Sequence, residues 1–511
     1  VNPADHLVVA PFVLPLLAAA GLVAVESSRP ALARSLSVAA TITFGVASAF
    51  LAAEVAARGT IVYQVGNWPA PFGIVLVVDA LAALMLVLTA IAGLAAALAL
   101  ASSAVVRAPM TPAILQVQLA GLAGAFTTGD LFNLFVCFEV LLIASYGLLV
   151  AGDRDRAVKP ALRYVVLNLV GSSIFLVAAA TLYGVAGTLN FADLASKLPA
   201  LDADGRRLAH AGCAALMLVF LLKAAILPAG FWIGRTYAVL PPGVAAIFAV
   251  MTKVGVYGVL RVLALGLDGA ATGASLAPLA YALGLATAAA AAFAALAARD
   301  LHGLAASLVA VSSGVLVASI ASGPEAWTGA IVYLAHSTVA AALLFVLAGA
   351  LAERRGALRD RLVAGPPPPD RTALGLLFFA VAVALAGLPP FAGFGAKVLI
   401  LGATPTAGPG VALWAAMLAS GWLALLALGR AGSTLFWAIG PGQAPDAPAA
   451  VDRGMDAALA LLAATLVAGV VAAQPIARAA TSAANALVDR SAYVRAVLEH
   501  APVPARPEAR P

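Results

Sequence analysis

Residues 129–149 read GDLFNLFVCFEVLLIASYGLL, and beyond Asp130 the only charged residue in that stretch is Glu139. An α-helix rises 1.5 Å per residue, so the nine residues from Asp130 to Glu139 cover about 14 Å. That is close to half of the roughly 30 Å hydrocarbon core of a bilayer. A charge at that depth is costly, and by default it marks a functional site. The stretch therefore reads as a membrane span with a carboxylate at its middle.

Composition extends this reading to the whole chain. Of 511 residues, 63% are hydrophobic and 10% charged, and the mean hydropathy is +1.04. A soluble domain carries about 25% charged residues, so a soluble enzyme, a nucleic-acid binder and a disordered scaffold are excluded. Cys137 and Cys213 lie in separate apolar runs, with no disulfide framework, CxxC site or zinc signature. The 46 glycines and 31 prolines, many inside apolar runs, point to closely packed and broken helices.

A span needs about 20 apolar residues, which predicts an all-α polytopic protein of about fourteen transmembrane helices. The apolar runs lie near 6–25, 33–56, 74–100, 111–128, 131–150, 161–184, 208–229, 243–264, 276–298, 301–321, 328–351, 372–403, 411–429 and 455–475. The run near 372–403 is too long for one straight helix and contains Leu388-Pro389-Pro390, so a broken helix is expected there. The first run lacks a basic leading segment and reads as a retained span. With the N-terminus outside, 16 Lys and Arg fall on inner loops, Arg34 and Arg107 among them, against 5 on outer loops. This basic-residue asymmetry places both termini outside. Arg478, Arg490, Arg495, Arg506 and Arg510 lie in the outer tail.

Two polar stretches read as interfacial. Residues 190–207 have the pattern of a short amphipathic helix on the outer face. The tail from 477 to 500 reads equally as an amphipathic helix and as a solvated end. The Pro366–Pro369 run is expected to be a stiff inner loop.

Besides Glu139, four ionisable residues fall inside spans: Lys223, Lys253, His336 and Lys397. Any one of them has a bland reading, as a side chain snorkelling to an interface or bonding a neighbouring helix. Five on five separate spans share one chemistry. A carboxylate–ammonium pair of variable separation is a proton-affinity switch, and a row of lysines and a histidine passes a proton through intervening water. Pro228 and Pro389-Pro390 break two of these helices, which is tolerated only around a cavity or packed site. The broken helices lie about five spans apart, which points to two five-span repeats. Asp79 and Asp130 read as solvated carboxylates at outer span ends, and His302 as interfacial. Glu54 receives no role. Ser312-Ser313-Gly314 suits a hydrated path and helix packing equally.

GDLFNLFVCFEVLLIASYGLL (129–149), KAAILPAGFWIGRTYAVLPPGVAAIFAVMTKVGVYGVLR (223–261) and GLPPFAGFGAKVLIL (387–401) resemble the antiporter-like subunits shared by Mrp cation/proton antiporters and respiratory complex I. The first segment most resembles the D-type branch of the Mrp antiporter subunits. The resemblance runs over about residues 70–440 and implies inverted repeats of helices 4–8 and 9–13, with helices 7 and 12 broken. The corresponding segments are 1–110 (three N-terminal helices), 111–270 and 271–440 (the repeats) and 441–511 (last helix and tail). Glu139 then matches the family's essential glutamate and Lys223 its partner lysine. Lys253, His336 and Lys397 match the lateral relay. Lys397 stands where some complex I subunits carry glutamate.

The chain departs from the family at Asp300-Leu301-His302-Gly303 and ASLVAVSSG (306–314), where Leu308 takes a polar relay position. A path through helix 10 then rests on water or on the serines. Gly234-Arg235 likewise replaces the more usual Leu-Pro. The resemblance implies a proton-translocating subunit of a hetero-oligomeric Mrp-type complex in the cell membrane, exchanging H⁺ for Na⁺ or another monovalent cation. It implies a secondary transporter subunit rather than an enzyme, with no cofactor and no metal. The alternatives are a proton-pumping membrane subunit of a complex I-like NADH–quinone oxidoreductase or membrane-bound hydrogenase, and a structural subunit whose polar residues only pack helices. The chain carries no Fe–S, flavin or quinone motif.

Overall fold

The structure, a computed structural model, describes residues 6–102, 108–152, 154–269, 274–366, 370–438, 440 and 452–502. Arg107, Arg506, Arg510 and residues 367–369 of the proline run lie outside the described residues.

The apolar runs form helices α1 (Ala10–Glu26), α2 (Pro30–Arg58), α3 (Ala80–Ser102), α4 (Thr111–Thr127), α5 (Leu131–Leu149) and α6 (Arg154–Ala186). The short α7 (Phe191–Lys197) precedes a broken helix, α8 (Ala203–Lys223) and α9 (Trp232–Tyr237). Then come α10 (Pro242–Ala264), α11 (Ala277–Ala297), α12 (Leu301–Ala321) and α13 (Trp327–Arg354). A second broken helix, α14 (Arg371–Ala386) and α15 (Ala392–Ala403), is followed by α16 (Gly410–Gly432), α17 (Arg453–Val471), α18 (Ala473–Val488) and α19 (Arg490–Leu498). Among the described residues, 12 helices are long and apolar enough to cross a membrane. The protein is a helical, polytopic membrane protein.

One segment departs from the all-helical expectation. The start of the run near 74–100 is not helix: Val75–Val78 forms β2, paired antiparallel with β1 (Ile61–Gln64) in the register Ile61 with Val78 and Gln64 with Val75. Three β-branched valines among the four residues before Asp79 favour the strand, and the Asp79 carboxylate caps α3 by accepting from the Ala82 N–H at 2.9 Å.

Burial sorts the helices. The most apolar window of α10 is buried throughout, and those of α12 and α13 are buried at nearly every position. A helix apolar on all sides belongs inside a bundle, and these three form its centre. α1, α2, α11 and α16 keep a wide exposed apolar face, such as Val46, Phe293 and Trp422, as lipid-facing helices do.

Loop contacts assign span ends to two faces. On one face the β-ribbon meets both ends of the described chain: His6 meets Tyr63 edge-on, with ring centroids 5.7 Å apart, and the Gln64 side chain donates to the His500 carbonyl at 2.8 Å. Leu76 bridges Thr128, and Asp130 bridges Asn190, on the same face. The opposite face joins Asp300 to Arg361, Arg354 to Asp456 and Ser102 to Asp452.

The polar stretches fold onto the first of these faces. Residues 190–207 give α7, whose Phe191–Ala195 are buried, and then the start of α8. The 477–500 tail is helical, and its buried Ala480, Ala483, Ala484 and Leu487 pack α18 against α13 and α3. α19 rests on α7, and the Arg490 side chain donates to the Ala195 carbonyl. The reading of the tail as a solvated end is corrected: an apolar stripe at helical spacing found a packed partner.

Candidate functional site

Glu139 lies half-buried on α5 and accepts a hydrogen bond from the Ser172 hydroxyl of α6. Lys223 is the last residue of α8 and is buried. Its Nζ donates to Asn168 Oδ1 at 2.9 Å and stands 5.8 Å from the Phe138 ring centroid. Asn168 and Ser172 are four residues apart, so they stack on one face of α6. Among the described residues no ion pair within 4.0 Å joins Glu139 to Lys223. The two charges are held by neighbouring rungs of a third helix, near enough to interact and not in contact. Asn168 is itself fixed, since its Nδ2 donates to the Tyr164 carbonyl at 2.8 Å. Sequence reasoning missed Asn168 and Ser172, although a polar pair at i, i+4 inside a long apolar helix was the signal.

The chain ends α8 with a specific cap. Ala225 has φ +59°, its N–H reaches the Leu222 carbonyl at 3.0 Å and the Ile226 N–H reaches the Leu221 carbonyl at 2.9 Å. This is a Schellman arrangement. The freed Leu227 amide donates to Thr287 of α11 at 2.9 Å, as an amide inside a membrane must find a partner. A cavity of about 20 Å³ touches Lys223, Asn168, Tyr164, Trp232, Met251 and Val254, enough for one water. Close packing brings α10 against this break: a Cβ on Gly255 would lie 2.2 Å from the Ala224 nitrogen, so only glycine fits.

Lys253, also on α10, is fully buried and donates to Ser312 Oγ on α12 at 2.7 Å. The 312–314 run packs helices at Gly314 and supplies a lysine partner at Ser312. Ser312 accepts from the lysine, while Gly314 packs α12 so closely on α11 that a Cβ would meet the Ala288 nitrogen at 2.5 Å. Leu308 is apolar, yet it lines one small cavity of about 10 Å³ with Ser312, Tyr333, His336, Lys397 and Ser420.

The second broken helix supplies the far side of that cavity. α14 ends with Gly387 at φ +76°, the Gly387 N–H on the Ala384 carbonyl and the Leu388 N–H on the Val383 carbonyl, each at 3.1 Å. Lys397 Nζ donates to the Ala386 carbonyl at 2.9 Å. His336 Nε2 lies 3.0 Å from the Ala384 carbonyl. A carbonyl only accepts, so this ring nitrogen carries the hydrogen. Both side chains thus take up oxygens that the helix break exposes.

The five expected residues therefore fall into two clusters, Glu139/Lys223 and Lys253/His336/Lys397, each completed by side chains of other helices. Lys253 does not line the cavity beside Lys223. Among the described residues no group of three or more His, Cys, Asp or Glu is placed to hold a metal ion.

The surface readings change at Asp79 and His302, whereas Asp130 keeps its place at the span end. Asp79 is not solvated: it is buried and forms a bidentate ion pair with Arg261 of α10 at 2.5 and 2.6 Å. Burial alone would raise its pKa, but the guanidinium holds it below the usual carboxylate value. Arg261, expected in an outer loop, also donates to the Tyr257 hydroxyl at 3.0 Å and lies 5.9 Å from the Tyr493 ring of α19. Asp130 caps α5 through the Asn133 N–H at 2.8 Å. His302 is buried at the start of α12, with Nδ1 2.7 Å from Asp360 Oδ2. Glu54 pairs with Arg58, one helical turn on, at 3.2 Å.

Residues 128–422 match the family described as NADH:quinone oxidoreductase/Mrp antiporter, transmembrane. The chain is 40% identical over 484 residues to the D subunit of a probable K⁺/H⁺ antiporter of Rhizobium meliloti (strain 1021), covering 86% of this chain and 88% of the relative. It is 34% identical over 506 residues to the D subunit of the Na⁺/H⁺ antiporter of Alkalihalophilus pseudofirmus, covering 97% and 100%. A chain of the Mrp complex from Dietzia sp. DQ12-45-1b superposes with a TM-score of 0.84 at 28% identity, covering 98% of this chain and all of that one. A chain of respiratory complex I from Thermus thermophilus shares the fold, with a TM-score of 0.78 at 23% identity over 95% and 99%. With the family model spanning more than half of the sequence and the antiporter D-type relatives aligned over most of their length, the chain belongs to the NADH:quinone oxidoreductase/Mrp antiporter family, on the side of its Mrp D-type subunits.

Proposed function

We propose that this chain is the proton-translocating D-type subunit of a multisubunit Mrp antiporter, exchanging H⁺ for Na⁺ or another monovalent cation. The observation that carries this is that Glu139 of α5 and Lys223 of α8 are each held by a separate rung of α6, Ser172 and Asn168. The attraction between carboxylate and ammonium depends on both being charged, and neither is locked in an ion pair. A proton arriving at Glu139 therefore changes the field at Lys223 without first breaking a contact. The second cluster continues the route: Lys253 reaches Ser312, and Ser312, His336 and Lys397 share one cavity. The residues assigned to translocation are Glu139, Lys223, Lys253, His336 and Lys397, with Asn168, Ser172 and Ser312 positioning them.

Two repeated features support reading 111–270 and 271–440 as inverted five-helix repeats within a fourteen-span chain, between residues 1–110 and 441–511. The first is the bridge from the head of α5 to a loop sixty residues on, Asp130 to Asn190. It recurs at the head of α12 as Asp300 to Arg361, an odd number of spans later and so on the opposite face. The second is the cap at Ala225 and at Gly387, each with a left-handed residue three positions before a proline of the break. The lysines do not follow the repeat: Lys223 precedes its break and Lys397 follows its own.

The chain works among other membrane subunits, in the cell membrane, with both termini outside. Its role is that of a transporter subunit. Glu139→Ala is expected to abolish cation-driven proton movement in everted vesicles while the complex still assembles, and full activity would overturn the assignment. If the complex I-like alternative held instead, the chain would copurify with dehydrogenase or hydrogenase subunits.

A further inference from the structure

Far from the translocation clusters, the ends of α1, α2, α3 and α4 enclose a cavity of about 200 Å³ lined by Glu26, Arg34, Ser37, Leu100, Thr111 and Leu115, among others. Glu26 closes α1, and its Oε1 accepts from the Met110 N–H at 2.9 Å. Among the described residues its buried Oε2 has no hydrogen-bond partner, which is costly for a carboxylate oxygen. Arg34 lines the same space, and among the described residues it forms no ion pair with Glu26 within 4.0 Å. One cavity thus presents a carboxylate lacking a donor and a guanidinium that this carboxylate does not neutralise.

The cavity lies at the ends of α1, α2 and α3, three helices long and apolar enough to cross a membrane, beside the start of α4, the level at which lipid headgroups lie. Apolar side chains also line it, Leu100 on the last turn of α3 and Ala97 and Leu115 one turn deeper on α3 and α4. Leu32 and Leu36 of α2, 41% and 42% exposed, offer apolar surface on the adjoining helix. The volume is about ten times that of the single-water cavity beside Lys223, which suits a small polar headgroup.

We infer that this cavity is a binding site for a glycerophospholipid whose headgroup carries a phosphate and a primary ammonium, as phosphatidylethanolamine does. The ammonium donates to Glu26 Oε2, the phosphate accepts from Arg34, and the acyl chains leave along α2. A choline headgroup carries the same charge but has no N–H to donate, and a glycerol headgroup has no cation.

The test uses the intact multisubunit complex, reconstituted in nanodiscs holding equal parts of phosphatidylethanolamine, phosphatidylcholine and phosphatidylglycerol. Native mass spectrometry then counts the lipids retained. Wild-type complex is expected to retain one more ethanolamine lipid than the Glu26→Gln complex, with retention at that site falling about tenfold in the variant. Arg34→Gln should lower it as well. Ala101→Phe, which fills the cavity and leaves both charges in place, should expel the same lipid. Equal retention of ethanolamine and choline lipids by the wild type, or an unchanged ethanolamine preference in Glu26→Gln, overturns the proposal. Displacement of the lipid by soluble phosphoethanolamine, held in its place, would overturn the lipid assignment.

Discussion

Lys223 donates its hydrogen bond to Asn168 at 2.9 Å, not to Glu139. The carboxylate is held one helical turn away on the same helix, by Ser172, so α6 sets the distance between the two charges.

Asn168 is therefore expected to matter as much as the ionisable residues. Asn168→Leu leaves a buried ammonium without its partner, a loss of about 1.5–3 kcal/mol for a hydrogen bond to a charged group. Antiport in everted vesicles should fall about 10- to 100-fold, with assembly preserved. Ser172→Ala should move the pH profile of transport instead of abolishing it. Wild-type rates across pH in Asn168→Leu would show that α6 takes no part.

The two neighbouring serines of α12 give a sharper contrast. Ser312 accepts from Lys253 at 2.7 Å, whereas Ser313 Oγ is buried without a partner. Ser312→Ala should slow antiport about tenfold or more, and Ser313→Ala should leave it near wild type. Equal effects of the two would place the relay elsewhere.

Asp79 and Arg261 are 182 residues apart in sequence and buried together. Asp79→Asn leaves a buried guanidinium uncompensated, which should cost about 3–5 kcal/mol and lower the melting temperature of the purified complex. The paired replacement Asp79→Leu with Arg261→Met should recover most of that loss. A double variant as unstable as the single one would mean that the pair's other contacts, to Tyr257 and the α3 cap, carry the stability.

Asp360 gives a stability prediction with a defined pH window. Burial would raise its pKa, but the hydrogen bonds and charge of His302 outweigh that and bring it down to about 2 from an ordinary 3.8. A carboxyl with a lowered folded pKa stabilises above its unfolded value, and that stability disappears as pH falls through the folded value. The contribution, about 2 kcal/mol, should be present at pH 5 and lost between about pH 4 and pH 2. Asp360→Asn should lower the melting temperature at pH 5, and the difference from wild type should close as pH falls to about 2. A difference that persists unchanged at pH 2 would contradict this.

The sequence by itself determined the spans and the presence of a buried charge set. Some 20 apolar residues in a row have few other places to go, and Glu139 or Lys253 at mid-span is too costly to be incidental. The helix breaks were equally legible, because a proline removes the amide that the helix needs. Tertiary structure alone decided what each charge touches. Nothing in the order of residues states that Lys223 meets Asn168, that Lys253 meets Ser312, or that Asp79 is buried against Arg261. The physical reason is that helical periodicity fixes which side of a helix a residue occupies, whereas hydrogen bonds between helices depend on rotation and depth. Those are set by side-chain packing along the whole length of each contact.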